Sequence, residues 1–103
     1  MNNTSVGAPL ANQVHDNAPL SRFELQLDSA VAVLDYTRRG QVLALNHAGV
    51  PAAVEGRGIG SSLVAGALAL IRSRGERIVP HCSFVAAYLR RHPEFDDLRA
   101  APP

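Results

Sequence analysis

The chain has 103 residues, a formal net charge of +1, 47% apolar residues and 18% charged ones. That length fits one domain with a modest core, and the near-neutral balance excludes a strongly basic nucleic-acid surface and gives no electrostatic case for a membrane surface. One cysteine excludes an internal disulfide, no apolar run approaches the roughly 20 residues of a bilayer span, and the opening MNNTSVGAPLANQ lacks the basic start and apolar centre of a signal peptide, so a reducing, cytoplasmic setting is expected.

Residues 1–13 carry Asn, Ala and Pro without periodicity and read as a mobile N-terminal tail. Val14 to Leu20 is ambiguous, with room for a short extended piece. Phe23, Leu25 and Leu27 alternate with Glu24 and Gln26, which predicts a half-buried strand. Asp28-Ser29 reads as a two-residue turn. Ala30 to Thr37 reads as a second strand, Arg38-Arg39-Gly40 as a tight turn, and Gln41 to Ala48 as a third strand. These three form an antiparallel meander.

The pattern then changes. Pro51 cannot donate to a ladder and ends the strand. Ile59, Leu63, Val64, Ala67, Leu68, Leu70 and Ile71 recur at helical spacing, which predicts a helix over Ile59 to Arg74 stopped by Gly75. Arg77 to Pro80 follows as a short strand, so strand, helix and strand make a βαβ crossover with its strands parallel. Ser83 to Arg91 reads as a second helix, with Phe84, Val85, Tyr88 and Leu89 at apolar spacing, Cys82 or Ser83 at its start and His92-Pro93 at its end. The domain spans 14–99, and 100–103 is a C-terminal tail.

Between third strand and helix lies VPAAVEGRGIG, Val50 to Gly60. Strand, glycine-rich turn and helix N-terminus together can cradle a phosphate on backbone N–H groups. The string has no Gly-Lys-Ser/Thr of a Walker A loop, and its third glycine is wrongly spaced for a dinucleotide fingerprint. Close packing of turn and helix is the alternative use of such glycines. Arg57 would add a charge-assisted contact to an anion.

The run Glu55, Gly56, Arg57, Gly58, Ile59, Gly60 resembles, in order, the acyl-CoA motif Gln/Arg-x-x-Gly-x-Gly/Ala of GNAT acetyltransferases. The match is closer to very small stand-alone GNAT-like proteins. It extends from about Phe23 to Leu98 through NHAGVP, EGRGIG and VPHCSFVAAYLRRHPEF. Glu55 departs from the family's Gln or Arg. The resemblance implies an α/β (α+β) fold with a mixed sheet: the three-stranded meander, the βαβ crossover and a short C-terminal helix. It also implies acetyl-CoA (coenzyme A) as a substrate, with no metal. The pyrophosphate would sit on the turn and first helical turn, at Gly56, Arg57, Gly58, Ile59, Gly60 and Ser61. The pantetheine arm would run beside Leu45 to Val50, where the third and last strands splay.

Three side chains are candidates for chemistry. Tyr88 looks like the GNAT tyrosine that protonates the departing CoA thiolate; a core aromatic is the alternative. His47, at the end of the third strand and by simple alternation on the face of Leu43 and Leu45, would take a proton from the incoming ammonium, or else brace the strand end. Cys82, at the strand-to-helix junction where thiols gain reactivity, would accept the acetyl group or contact the CoA thiol; a small buried hydrophobe is the alternative. His81 beside Cys82 has no further ligand pair at zinc spacing.

The expected function is transfer of an acetyl group from acetyl-CoA to a primary amine, by direct attack in a ternary complex. The acceptor would be a small amine, a polyamine or a protein lysine, and the protein a monomer or weak homodimer, with no nucleic-acid or membrane partner. A CoA-binding module without turnover, acting as sensor or partner, is the alternative.

Overall fold

A five-stranded sheet runs in simple sequence order through the chain, in a computed structural model that describes residues 9–101. Its strands are β1 (His15–Asn17), β2 (Arg22–Gln26), β3 (Val31–Arg39), β4 (Val42–Gly49) and β5 (Arg77–Pro80). The first four pair antiparallel, and β5 pairs parallel to β4. The parallel pair requires a crossover, and α1 (Ile59–Ser73) supplies it. The second helix, α2 (Ser83–Arg91), follows β5. The predicted meander, crossover and C-terminal helix are therefore all present, in a mixed α/β fold.

The alternation read in the sequence places the core. Phe23 and Leu25 of β2, Ala32, Leu34 and Tyr36 of β3, and Leu43 and Leu45 of β4 are buried on one face. They meet Leu63, Val64, Leu68 and Ile71 of α1 and Val85 and Leu89 of α2, all essentially without exposure. The other face, with Val33, Thr37, Arg39, Val42, Ala44 and Val79, is partly or fully exposed. No element packs against it among the described residues.

Turn chemistry follows the sequence. Asp28-Ser29 closes β2 onto β3, with the Leu27 N–H donating to the Ala30 carbonyl at 2.8 Å. Gly40 takes φ +61° in the β3–β4 turn, and Gly75, at φ +69°, stops α1 one residue after its cap.

Two expected boundaries move. The sequence predicts an N-terminal tail reaching Gln13, but Leu10–Gln13 is a 3-10 turn lying against α1. Gly66 makes this approach feasible, because a Cβ there would collide with the Ala11 carbonyl and lie 2.5 Å from Val14. The segment carries no periodicity because one glycine on a distant helix provides its seat. The expectation for residues 1–8 lies outside the described residues. The ambiguous stretch after it contains the edge strand β1. At the other end, the tail expected over 100–103 is tied at its first residue. Leu98 is buried at the end of a 3-10 run over Pro93–Leu98, and the Ala100 N–H donates to the Ile78 carbonyl at 2.8 Å. Residues 102–103 lie outside the described residues.

A polar network joins β1 to the end of α1. The Tyr36 hydroxyl donates to Asp16 Oδ1 at 2.8 Å, Arg74 donates to Asp16 Oδ2 at 2.8 Å, and Arg38 bonds Glu76. Glu76 is 7% exposed, and its Oε1 has no hydrogen-bond partner.

Candidate active site

The site begins with a defect in a strand pair. Tyr36 faces Leu45 and Asp35 faces His47, so Asn46 is an extra residue in β4. A bulge of this kind shifts the alternation by one residue. Leu45 points into the core and Ala48, opposite Leu34, returns to that face. His47 consequently lies on the opposite face, with Asp35. The expectation that His47 shares a face with Leu43 and Leu45 is overturned, since uninterrupted alternation does not survive a bulge.

The same region is where the sheet forks. β5 last pairs with β4 at Pro80 and Leu45, and the Cys82 N–H donates one further bond to the Leu45 carbonyl at 2.8 Å. From Asn46 to Gly49 β4 continues without β5 beside it. A cavity of about 550 Å³ opens between this free length of β4, the glycine turn and the start of α2. His47, Val50, Gly56, Gly58, Gly60 and Phe84 are among its walls, as are Glu55, Ile59 and Ser61.

The turn suits an anion for local reasons. Gly58 caps α1 in the left-handed region at φ +71°, and Gly56 has φ +84°. The first intrahelical bond runs from the Ser62 N–H to the Gly58 carbonyl at 3.1 Å. The N–H groups of Ile59, Gly60 and Ser61 precede it and lack intrahelical acceptors. No acidic residue stands in the first turn, so the positive end of the helix faces the cavity without an internal counter-charge. Glu55 works against this, since its residue forms part of the same wall. It was noticed in the sequence only as a departure from a motif.

The glycines do different jobs. A Cβ on Gly56 or Gly58 would meet nothing within 4 Å, so their requirement is conformational. A Cβ on Gly60 would lie 2.7 Å from Phe84 Cζ, so the aromatic ring occupies the space that glycine leaves. Phe84, 39% exposed, was read in the sequence as one of four apolar positions of α2. Its place on the cavity wall depends on the α1–α2 contact and has no signal in local spacing.

The cavity does not gather every expected residue. Val50, Gly56, Gly58, Ile59, Gly60, Ser61 and His47 line it, whereas Arg57, Cys82 and Tyr88 do not. Arg57 is exposed. Cys82 is 8% exposed at the apex of the fork and is the cap residue of α2, with no side-chain capping bond. Tyr88 is 5% exposed and stacks on the His92 ring at 4.0 Å between centroids. Its hydroxyl pKa is pushed up, first by burial and then by the nearby Glu94 carboxylate.

Three comparisons bear on this arrangement. A family model described as GCN5-related N-acetyl-transferase matches residues 22–98. The fold matches the NMR solution structure of a GCN5-like N-acetyltransferase candidate from Staphylococcus aureus, with a TM-score of 0.66, 20% identity and 93% of each chain covered. No curated protein matches the chain in sequence at a significant level. The family match runs from the second strand to the last buried leucine and includes the bulge, the fork and the glycine turn, and the chain belongs to the GCN5-related N-acetyltransferase family.

Proposed function

We propose that the protein moves an acetyl group from acetyl-CoA to a primary amine, with the cavity at the fork as the donor site. The observation that carries this is the coincidence of an anion-suited helix start and a free strand edge on one cavity of about 550 Å³. A pyrophosphate would accept from the N–H groups of Ile59, Gly60 and Ser61. The amide-bearing pantetheine arm would lie along β4 beyond Leu45, on the side where β5 no longer pairs with it.

In the reaction the amine lone pair attacks the thioester carbonyl carbon, the C–S bond breaks, the sulfur leaves as a thiolate, and the new amide nitrogen sheds its second proton to solvent water. His47, on the cavity wall, would take the proton from the incoming ammonium, directly or through water. Tyr88, one helical turn beyond Phe84 on α2, would return a proton to the thiolate, provided the arm reaches past Phe84 toward the apex of the fork. Cys82 at that apex would sit beside the sulfur. Calorimetric titration with CoA and acetyl-CoA tests the donor site, and thiol release across a panel of amines tests turnover. Absence of binding at millimolar ligand removes the proposal.

A second reading, a CoA-binding module without turnover, is favoured by one observation: Tyr88 and Cys82 both stand off the cavity wall. Binding without thiol release for any amine would select it.

A further inference from the structure

The uncovered face of the sheet bears a second hollow, of about 380 Å³, along β3, β4 and β5. Its floor is Val42, Ala44 and Val79, Arg39 stands at one end, and Asn46 and His81 stand at the other. The bulge joins the two cavities: Asn46 lines this hollow and His47 lines the cleft. On β3 the alternate positions Asp35, Thr37 and Arg39 share this face, and the register sets Asp35 beside His47.

The charges along the face that lack a partner are separated by sign. Thr37 is engaged by the Asn46 amide at 2.9 Å. Arg22, on the far side of Asp35, is turned to Glu24, with its Nε 2.7 Å from Oε2. Arg38 is committed to Glu76. Asp35 and Arg39 are left without a hydrogen-bond or ion-pair partner among the described residues. Four residue steps of strand separate them, about 13 Å between their Cα positions at the usual rise, with the apolar floor between.

We propose that this hollow is the seat of the acetyl acceptor, and that it takes an elongated amine whose anionic group lies somewhat less than that distance of about 13 Å from its amino end, the long Arg39 side chain reaching inward to meet it. The ammonium would rest at Asp35, next to His47 and the mouth of the donor cleft. The aliphatic or peptide-like body would cover Val42, Ala44 and Val79, and the carboxylate would pair with Arg39. This rests on reading the cleft as the donor site. Asp35 and Arg39 are positioning residues, since neither touches the reacting carbonyl.

The test is a titration of isotope-labelled protein with 8-aminooctanoate, octanoate and octylamine, with and without saturating CoA, read by amide NMR shifts. 8-Aminooctanoate is expected to shift Thr37, Arg39, Ala44 and His47, and to bind about two- to fivefold tighter than either singly charged chain, the worth of one exposed ion pair. Arg39→Gln erases its advantage over octylamine, and Asp35→Asn erases its advantage over octanoate, while peak dispersion in both variants reports an intact fold. A silent hollow at tens of millimolar ligand, equal affinity for all three compounds, or an advantage that survives both substitutions overturns the proposal. CoA is read separately at the amides of residues 56–61. Silence there removes the donor-site reading, and the CoA-free titration still reports on the hollow.

Discussion

Gly60 of α1 and Phe84 of α2 meet so closely that a Cβ on the glycine would lie 2.7 Å from the phenylalanine Cζ. The two residues form one wall of the cleft at the fork, and each sets the other's position. Phe84 is 39% exposed, so its ring tip has room to swing outward. Gly60→Ala is therefore expected to cost less than about 1 kcal/mol while reshaping the cleft. Phe84→Ala in the same chain should restore the lost stability, which a double-mutant cycle in urea would measure.

Gly66 is the opposite case. Its neighbour is the Ala11 backbone carbonyl, which cannot rotate away. Helix propensity alone would favour Ala by up to about 1 kcal/mol. The clash outweighs it, and Gly66→Ala should destabilise by about 1–2 kcal/mol net. Hydrogen exchange should show the Leu10–Gln13 turn released from the helix. Unchanged protection at residues 10–14 would contradict this.

Glu55 places a carboxylate on the wall that would receive a pyrophosphate. Glu55→Gln should tighten CoA binding by about two- to fivefold at low salt, the range of an exposed charge pair. The gain should shrink as ionic strength rises, since the pair is screened. Calorimetry at two salt concentrations checks both statements.

Gly58→Val should weaken CoA binding strongly, for a conformational reason. No neighbour fills the space a Cβ would take. The strain lies in φ +71°, where a β-branched residue is disfavoured by roughly 1–3 kcal/mol. Relief of that strain would turn the first helical N–H groups away from the cleft.

His47→Gln and Tyr88→Phe separate chemistry from packing. Each should lower thiol release by about 10²-fold if the group transfers a proton, with CoA affinity nearly unchanged. Equal loss of both quantities in Tyr88→Phe would assign the tyrosine to the core, where it stacks on His92.

Alkaline stability follows from the two tyrosines. Burial raises the pKa of Tyr36, helped by its bond to Asp16, and burial raises that of Tyr88, helped by Glu94. In the unfolded chain both titrate near about 10. Above that pH the unfolded state loses protons that the folded state keeps, so stability falls as pH rises through the folded values. A plateau below pH about 9 and a decline above about 10 are expected in urea midpoints. Tyr36→Phe should flatten part of the decline.

The meander, the crossover helix and the glycine turn were legible because each depends on spacing within one segment. Alternation in Phe23-Glu24-Leu25 and the helical recurrence from Ile59 to Ile71 report burial directly. The edge strand β1 and the Leu10–Gln13 turn were not legible. Their seats are built by Glu24, Phe23 and Arg22 across the sheet and by Gly66 on the helix.

By itself, then, the sequence determined the order of elements and a turn fit to hold an anion, because hydrophobic period and glycine conformational freedom are local properties. Tertiary structure alone decided which face His47 presents, that Phe84 replaces Tyr88 and Cys82 on the cleft wall, and that Arg39 and Asn46 stand at the two ends of a second hollow. Those outcomes depend on one bulge residue, Asn46, and on the register of strands and helices brought together from distant parts of the chain, and no local pattern encodes them.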